Sequence, residues 1–331
     1  MKNNSPKHEI KGYGEIRLFA GTASPELADK IAEYLKTKLC GRDIILFPND
    51  NLFVKLHRSV RGQDVYVIQT TSRPVQQNLM ELLISLQTIR LDSAARITAV
   101  IPYLCYSRSD KKDQPRVPIT SRLVADMIEV AGADRYMTLD PHAGQIQGFF
   151  SIPGDVLTAS YITEEYIKDN LLDKLTNPVV MTVDLGFAKK GRNFSEGLGI
   201  PVAFIEKRRV ANDSKAKALT IIGDVKDRDV IIVDDEVDTG GSIAQAINLA
   251  RENGARNIYL TFIHPVFSSD AAEKLAALDI TEIITTDTVP IPEESKALFG
   301  NRLTVCTVAP LLAEVILRAH EGRSVGELFD E

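Results

Sequence analysis

Three cysteines in 331 residues, Cys40, Cys105 and Cys306, are too few and too scattered for a disulfide framework or a zinc knuckle. They read as reduced thiols of a cytosolic protein. An excess of positive charge is also missing. The 39 Lys and Arg stand against 45 Asp and Glu, a net charge of −6, which argues against general affinity for nucleic acid or anionic membrane. No apolar run is long enough to span a bilayer, and the polar start Met1-Lys2-Asn3-Asn4-Ser5 lacks a signal-peptide core. Residues 1–14 read as a loose extension. What remains is ordinary globular composition, 44% hydrophobic and 25% charged, in a chain long enough for two α/β domains with separate cores.

The richest local signal is the run from Val230 to Ser242. Val230-Ile231-Ile232-Val233 suits a parallel strand buried on both faces, and the change to Asp234-Asp235-Glu236-Val237-Asp238 marks its carboxyl end, the edge where open α/β sheets bind ligands. Thr239-Gly240-Gly241-Ser242 then lets backbone N–H groups and hydroxyls approach an anion at the start of the helical pattern Ile243-Ala244-Gln245-Ala246. Carboxylates beside a phosphate loop point to a phosphorylated sugar, with Asp234 and Asp235 next to its hydroxyls.

An internal echo gives the organisation. Gly132-Ala133-Asp134-Arg135 leads through a short apolar run to His142, and Gly254-Ala255-Arg256-Asn257 leads likewise to His264, each following an amphipathic helical pattern. With strand-like runs at 65–69, 97–102, 179–183 and 230–233 alternating with helical patterns, the echo predicts two similar doubly wound domains. At the same offset the acidic loop of the second copy corresponds to the basic loop Arg108-Ser109-Asp110-Lys111-Lys112 in the first, which suits a nucleoside triphosphate. Further cations follow the apolar run Val202–Ile205, where Lys207, Arg208 and Arg209 open a polar stretch expected of a mobile flap over phosphates. On an extended strand Lys207 and Arg209 share a side.

These motifs, with Ser59-Val60-Arg61-Gly62, Arg116-Val117-Pro118-Ile119-Thr120 and Asp140-Pro141-His142-Ala143-Gly144-Gln145 in order between Arg17 and Phe329, resemble the ribose-phosphate pyrophosphokinase family. The resemblance implies two domains of the type I phosphoribosyltransferase kind: residues 15–159 on the ATP side, 160–310 on the ribose 5-phosphate side, and 311–331 packing back on the first domain. It implies Mg²⁺-dependent transfer of pyrophosphate from ATP to O1 of ribose 5-phosphate. By resemblance Lys207 and Arg209 are catalytic; Phe47, Asn49, Asn51, Arg108, Ser109 and His142 face ATP; Asp184, Asp234, Asp235, Asp238 and Thr239 through Ser242 (Gly240, Gly241) hold ribose 5-phosphate; His142 and Asp184 serve the metal. Ser59, Arg61, Arg116 and Thr307 match an allosteric site for inorganic phosphate or ADP. The family forms hexamers built from dimers, so a homo-oligomer is implied, and Leu79–Leu86 is a candidate interface.

The chain departs from the family pattern at several points. Gly186-Phe187 replaces paired glycines after Asp184, where a Phe resists positive φ. Asn51 replaces an acidic residue, Ser109 a glutamine, and Glu236 an apolar residue, adding a charge that either repels substrate or recruits another cation. Two alternatives therefore stay open beside the synthase: a catalytically weak regulatory homologue, and a synthase with altered nucleotide or sugar-phosphate specificity. A phosphoribosyltransferase would leave the first-domain motifs unexplained.

Overall fold

The computed structural model describes residues 12–209 and 217–329. Its first half is a parallel sheet of β1 (Ile16–Ala20), β4 (Asp64–Ile68), β5 (Arg96–Ile101), β6 (Arg135–Leu139) and β7 (Gly154–Leu157), in that spatial order, with a hairpin of β2 (Arg42–Leu46) and β3 (Leu52–Leu56) standing apart. The second half is a sheet ordered β10 (Lys217–Ile222), β9 (Val202–Arg209), β8 (Val179–Thr182), β11 (Val230–Val237), β12 (Ile258–Pro265), β13 (Glu282–Thr286) and β14 (Leu303–Cys306). Only the β9–β10 pairing in it is antiparallel. Strands β4 and β5 are buried at every residue, as continuous apolar runs covered on both faces must be. The chain is thus α/β, two similar doubly wound domains.

The repeated unit is visible in three dimensions. Helix α3 (Thr120–Ala131) buries Val124, Ala125 and Ile128 and ends at Gly132, whose φ of 116° terminates the helix before β6. Helix α6 (Gly241–Glu252) buries Ile243, Ala246, Ile247 and Ala250 and is followed by Gly254 at φ 86° before β12. Left-handed backbone costs an L side chain about 1–2 kcal/mol, so glycine is favoured at both stops. The correspondence fails in the loop ahead of each helix, which spans residues 102–119 in the first domain and only 238–240 in the second.

Helix α9 (Ala309–Glu321) closes the first domain although it comes last in the chain. Leu312, Val315 and Ile316 are fully buried in one cluster with Leu18, Ile31, Tyr66 and Ile68, each contributing roughly 1.5–3 kcal/mol. Its end is fixed by buried polar contacts: Arg96 pairs with Asp64 at 2.6 Å and donates to the Ala319 carbonyl at 3.0 Å, and His320 Nδ1 lies 2.8 Å from Asp64. Tyr13 lies 4.0 Å under the Arg96 guanidinium, and Gly14 N donates to the Gly62 carbonyl, so the last residues of the expected loose extension are anchored. Residues 1–11 are outside the described residues. The apolar stretch Leu79–Leu86 lies on α2 (Val75–Leu91) and is largely core: Leu79, Leu82 and Leu86 are buried against β4 and β5. Periodicity made these positions apolar, and the sheet of the same chain covers them.

Candidate active site

Three neighbouring strands create the site by ending at different heights. β8 lies between β9 and β11, and its pairing with them stops at Thr182, opposite Phe204 and Val233. Both neighbours run on past it, β9 to Arg209 and β11 to Val237. The acids of the Val230 run therefore belong to the strand itself, where the sequence reading ended it at Val233. The reason is that β12 continues to pair, Asp234 with Phe262 and Glu236 with His264, after β8 has stopped. The resulting notch at the carboxyl edge is occupied by the turn that follows β8 and begins with Asp184.

That turn is a single 3₁₀ turn from Leu185 to Phe187, capped by the Asp184 carboxylate accepting from Phe187 N at 3.2 Å, and it leads into α5 (Ala188–Leu198). Phe187 has φ −91°, so the turn needs no glycine there and the expected steric conflict does not arise. On the other side, Gly240 at φ 72° turns β11 into α6 and brings the N-terminus of that helix to the same edge.

A cavity of about 460 Å³ lies between the two domains. Asp184, Asp234, Asp235, Asp238, Thr239, Gly240, Gly241 and Ser242 line it from the second domain, together with Lys189 and Lys190. Arg108, Lys111, His142 and Gln145 line it from the first. The cavity thus joins all the residues assigned to the sugar phosphate with two of those assigned to ATP. Ser109 is half-buried in the same loop, its amide bonded to the Tyr106 carbonyl, and is not among the lining residues. Lys111 and Gln145 were not assigned from sequence. The first belongs to the basic loop already noted, while nothing marked the second beyond its place after His142.

The electrostatics are set by paired charges across the domains. His142 Nδ1 is 2.8 Å from Asp235 Oδ2, and this bond raises the imidazole above its ordinary value despite partial burial. Burial works against the Asp235 carboxylate, but His142, with Lys190 nearby, outweighs it and holds the group below the usual range. Burial and the adjacent Asp235 charge push Asp234 well up, since two neighbouring carboxylates resist ionising together. The histidine related to His142 by the internal echo, His264, is fully enclosed. Burial lowers its value, and Nε2 donates to the Leu139 carbonyl at 3.1 Å, so the neutral ring ties β12 to the end of β6.

The His142–Asp235 pair makes stability depend on pH with a defined sign. Because folding raises the histidine, its contribution is complete below the unfolded value of about 6.5 and is lost as pH rises through the raised folded value. The depressed Asp235 contributes in the opposite sense, complete above about 3.8 and lost as pH falls through its lowered value. His142→Gln is expected to abolish the fall in melting temperature expected of the parent as pH rises above about 6.5. Identical pH profiles for the two proteins would show that the pair does not couple to folding.

Other sequence-assigned residues are elsewhere. Lys207 and Arg209 lie on the overhanging end of β9, with side chains outside the described residues, as are residues 210–216 of the expected flap. Phe47, Asn49 and Asn51 form the exposed turn of the β2–β3 hairpin, closed by Phe47 N to the Asn51 carbonyl and Asp50 N to the Phe47 carbonyl, and do not line the cavity. The four residues matched to the allosteric site stand in three different segments of the chain, Ser59 and Arg61 together. Ser59 Oγ accepts from Arg61 N beside β3, Arg116 is exposed in the 102–119 loop, and Thr307 donates to Asp287 at 2.6 Å near α9.

Fold and cavity together define a two-domain α/β protein in which an acidic strand end and a helix-start glycine loop face cations from a second domain. Residues 16–132 match the N-terminal domain of ribose phosphate pyrophosphokinase, and residues 206–330 match the phosphoribosyl synthetase-associated domain. The ribose-phosphate pyrophosphokinase of Caldanaerobacter subterraneus subsp. tengcongensis is 45% identical over 95% of this chain and 98% of its own length; that of Aquifex aeolicus is 40% identical over 95% and 99%. The crystal structure of phosphoribosylpyrophosphate synthetase from Mycobacterium smegmatis has a TM-score of 0.87 at 40% identity, covering 93% of this chain and 99% of that one. The chain belongs to the ribose-phosphate pyrophosphokinase family.

Proposed function

We propose that this chain transfers the pyrophosphoryl group of ATP to O1 of ribose 5-phosphate, giving phosphoribosyl pyrophosphate and AMP. The observation that carries the reading is the notch over β8, where carboxylates of β11 run directly into a phosphate loop and face His142 and Arg108 of the other domain. In the reaction the bond from O1 to the β-phosphorus forms as the bond from that phosphorus to the AMP oxygen breaks. Charge grows on oxygens that are already anionic, so prearranged cations lower the barrier. Asp234 and Asp235 are assigned to the sugar hydroxyls, Thr239 through Ser242 to the 5-phosphate, Arg108 and His142 to the polyphosphate, and Lys207 and Arg209 to the transferring group. Residues 15–159 then form the ATP side and 160–310 the sugar-phosphate side.

The donor set fits Mg²⁺. Among the described residues no three His, Cys, Asp or Glu side chains converge as a self-sufficient metal site, and Mg²⁺ is commonly held by one or two carboxylates plus substrate phosphates. The raised Asp234 beside an ionised Asp235 marks an excess of negative charge that a hard dication would relieve. Asp184 and His142 are assigned to it. When bound, it supplies neutralisation of the polyphosphate charge.

The exposed hairpin finds its role in a homo-oligomer. Phe47, Asn49 and Asn51 do not line the cavity of their own chain, and Ile45, Leu46, Phe47 and Phe53 leave an apolar surface on the hairpin. A neighbouring subunit's cavity is the place assigned to this turn, in a dimer or hexamer, and the separated Ser59, Arg61, Arg116 and Thr307 are assigned to phosphate or ADP between subunits. No described helix is long and apolar enough to cross a membrane.

The test is product formation by the purified protein given ribose 5-phosphate, Mg²⁺ and a panel of nucleoside triphosphates, with and without inorganic phosphate. AMP and phosphoribosyl pyrophosphate from ATP are expected. Product only from another nucleotide would overturn the choice of ATP, and binding of both substrates without product would overturn the catalytic reading.

A further inference from the structure

Glu236 is an unexpected residue in an enclosed place. Its side chain is 4% exposed, yet it is a carboxylate on a strand whose preceding residues, Val230 to Val233, are apolar. It is not left unpaired. Its Oε1 lies 3.1 Å from Arg108 Nη1, which comes from the other domain and is 57% exposed, and the same guanidinium nitrogen is 3.8 Å from Asp238. Burial, with the nearby Glu236 charge, pushes the Tyr103 phenol up, so it stays protonated beside the carboxylate. Consecutive residues of β11 thus each hold a first-domain side chain: Asp235 holds His142, and Glu236 holds Arg108. The Glu236–Arg108 pair stands between the main cavity and a smaller one of about 190 Å³ that Tyr103 and Tyr106 help line.

We propose that Glu236 is a positioning residue that fixes the half-exposed Arg108 guanidinium at the domain boundary, so that the arginine meets the nucleotide phosphates already oriented. A half-exposed arginine in the eighteen-residue loop 102–119 would otherwise sample many rotamers and lose that freedom on binding. A carboxylate inside the protein is well suited to hold it, because the ion pair is little screened by solvent at the Glu236 end. Placing the charge in the second domain also ties the orientation of an ATP-side residue to the position of the sugar-phosphate side. The inference rests on the assignment of Arg108 to ATP.

The experiment is a double-mutant cycle on the full-length protein with Glu236→Gln, Arg108→Gln and the pair, reading KM for ATP, KM for ribose 5-phosphate, kcat and melting temperature. Glu236→Gln preserves shape and removes the charge that faces Arg108. It is expected to raise KM for ATP about tenfold with kcat within about twofold, the loss of one charge-assisted contact. In the Arg108→Gln background the same substitution is expected to have no further effect on KM for ATP. Additive effects, or an unchanged KM for ATP in Glu236→Gln, would overturn the inference. If Arg108→Gln itself leaves KM for ATP unchanged in an active enzyme, the assignment of Arg108 fails and the inference with it, whereas absence of product from the parent protein points to the catalytic reading instead. Should Glu236→Gln not fold, Glu236→Asp, which keeps the charge one methylene short, is expected to raise KM for ATP about threefold and to lose that effect without Arg108; an effect that survives in Arg108→Gln would again refute positioning.

Discussion

Replacing Lys207 by alanine is expected to lower turnover by on the order of 10³-fold while leaving the dissociation constant of ribose 5-phosphate within about threefold of the parent value. The argument begins with the backbone. β9 extends past the end of β8 on one side of the notch as β11 does on the other, so residues 205–209 stand at the same carboxyl edge as Asp234 to Val237. In the proposed reaction a lysine on that overhang serves the group that moves between the two substrates. Charge on that group is greatest in the transition state, so losing the cation costs more there than in the ground state. Steady-state kinetics and equilibrium sugar-phosphate binding on the same preparation decide the matter. Undiminished turnover would remove Lys207 from the reacting group, and a matched loss of binding and turnover would make it a ground-state contact.

Asp235→Asn is expected to reduce kcat/KM for ribose 5-phosphate about 10²-fold, equivalent to ~2.7 kcal/mol of transition-state stabilisation. The change is nearly isosteric, so the effect is electrostatic. It removes the charge that holds His142 at 2.8 Å, and it removes the neighbour that pushes Asp234 up. Asp234, still raised by burial, would then ionise nearer its ordinary range, because the repulsion from its neighbour is gone. An unchanged kcat/KM would dissociate this strand end from the sugar. A fall in melting temperature with kcat/KM preserved would assign Asp235 to domain attachment alone.

Much of the site was legible because its chemistry is concentrated in short runs. Val230 to Ser242 supplies a strand, its acids, a positive-φ glycine and a helix start within thirteen residues, and local order is enough to bring them together. The echo of helix, glycine and strand around Gly132 and Gly254 was legible for the same reason, since each stop is a local backbone requirement. The concern over Phe187 did not carry through, because a residue sequence does not state which φ a turn will adopt; here a 3₁₀ turn capped by Asp184 accepts it.

What the sequence by itself determined was the α/β class, the paired domains and the glycine turn that leads from an acidic strand end into a helix. These follow from apolar periodicity, turn residues and hydroxyl–glycine spacing, all short-range properties of the chain. Tertiary structure alone decided that β11 continues through its acids, because continuation depends on β12 still pairing after β8 has ended. It alone gave Glu236 its partner in Arg108 and Asp235 its partner in His142, 128 and 93 residues away in the chain. A buried carboxylate needs a cation or hydrogen-bond donors to meet it, and the partners of Asp235 and Glu236 are set by the docking of two domains, a long-range packing outcome that no local pattern encodes.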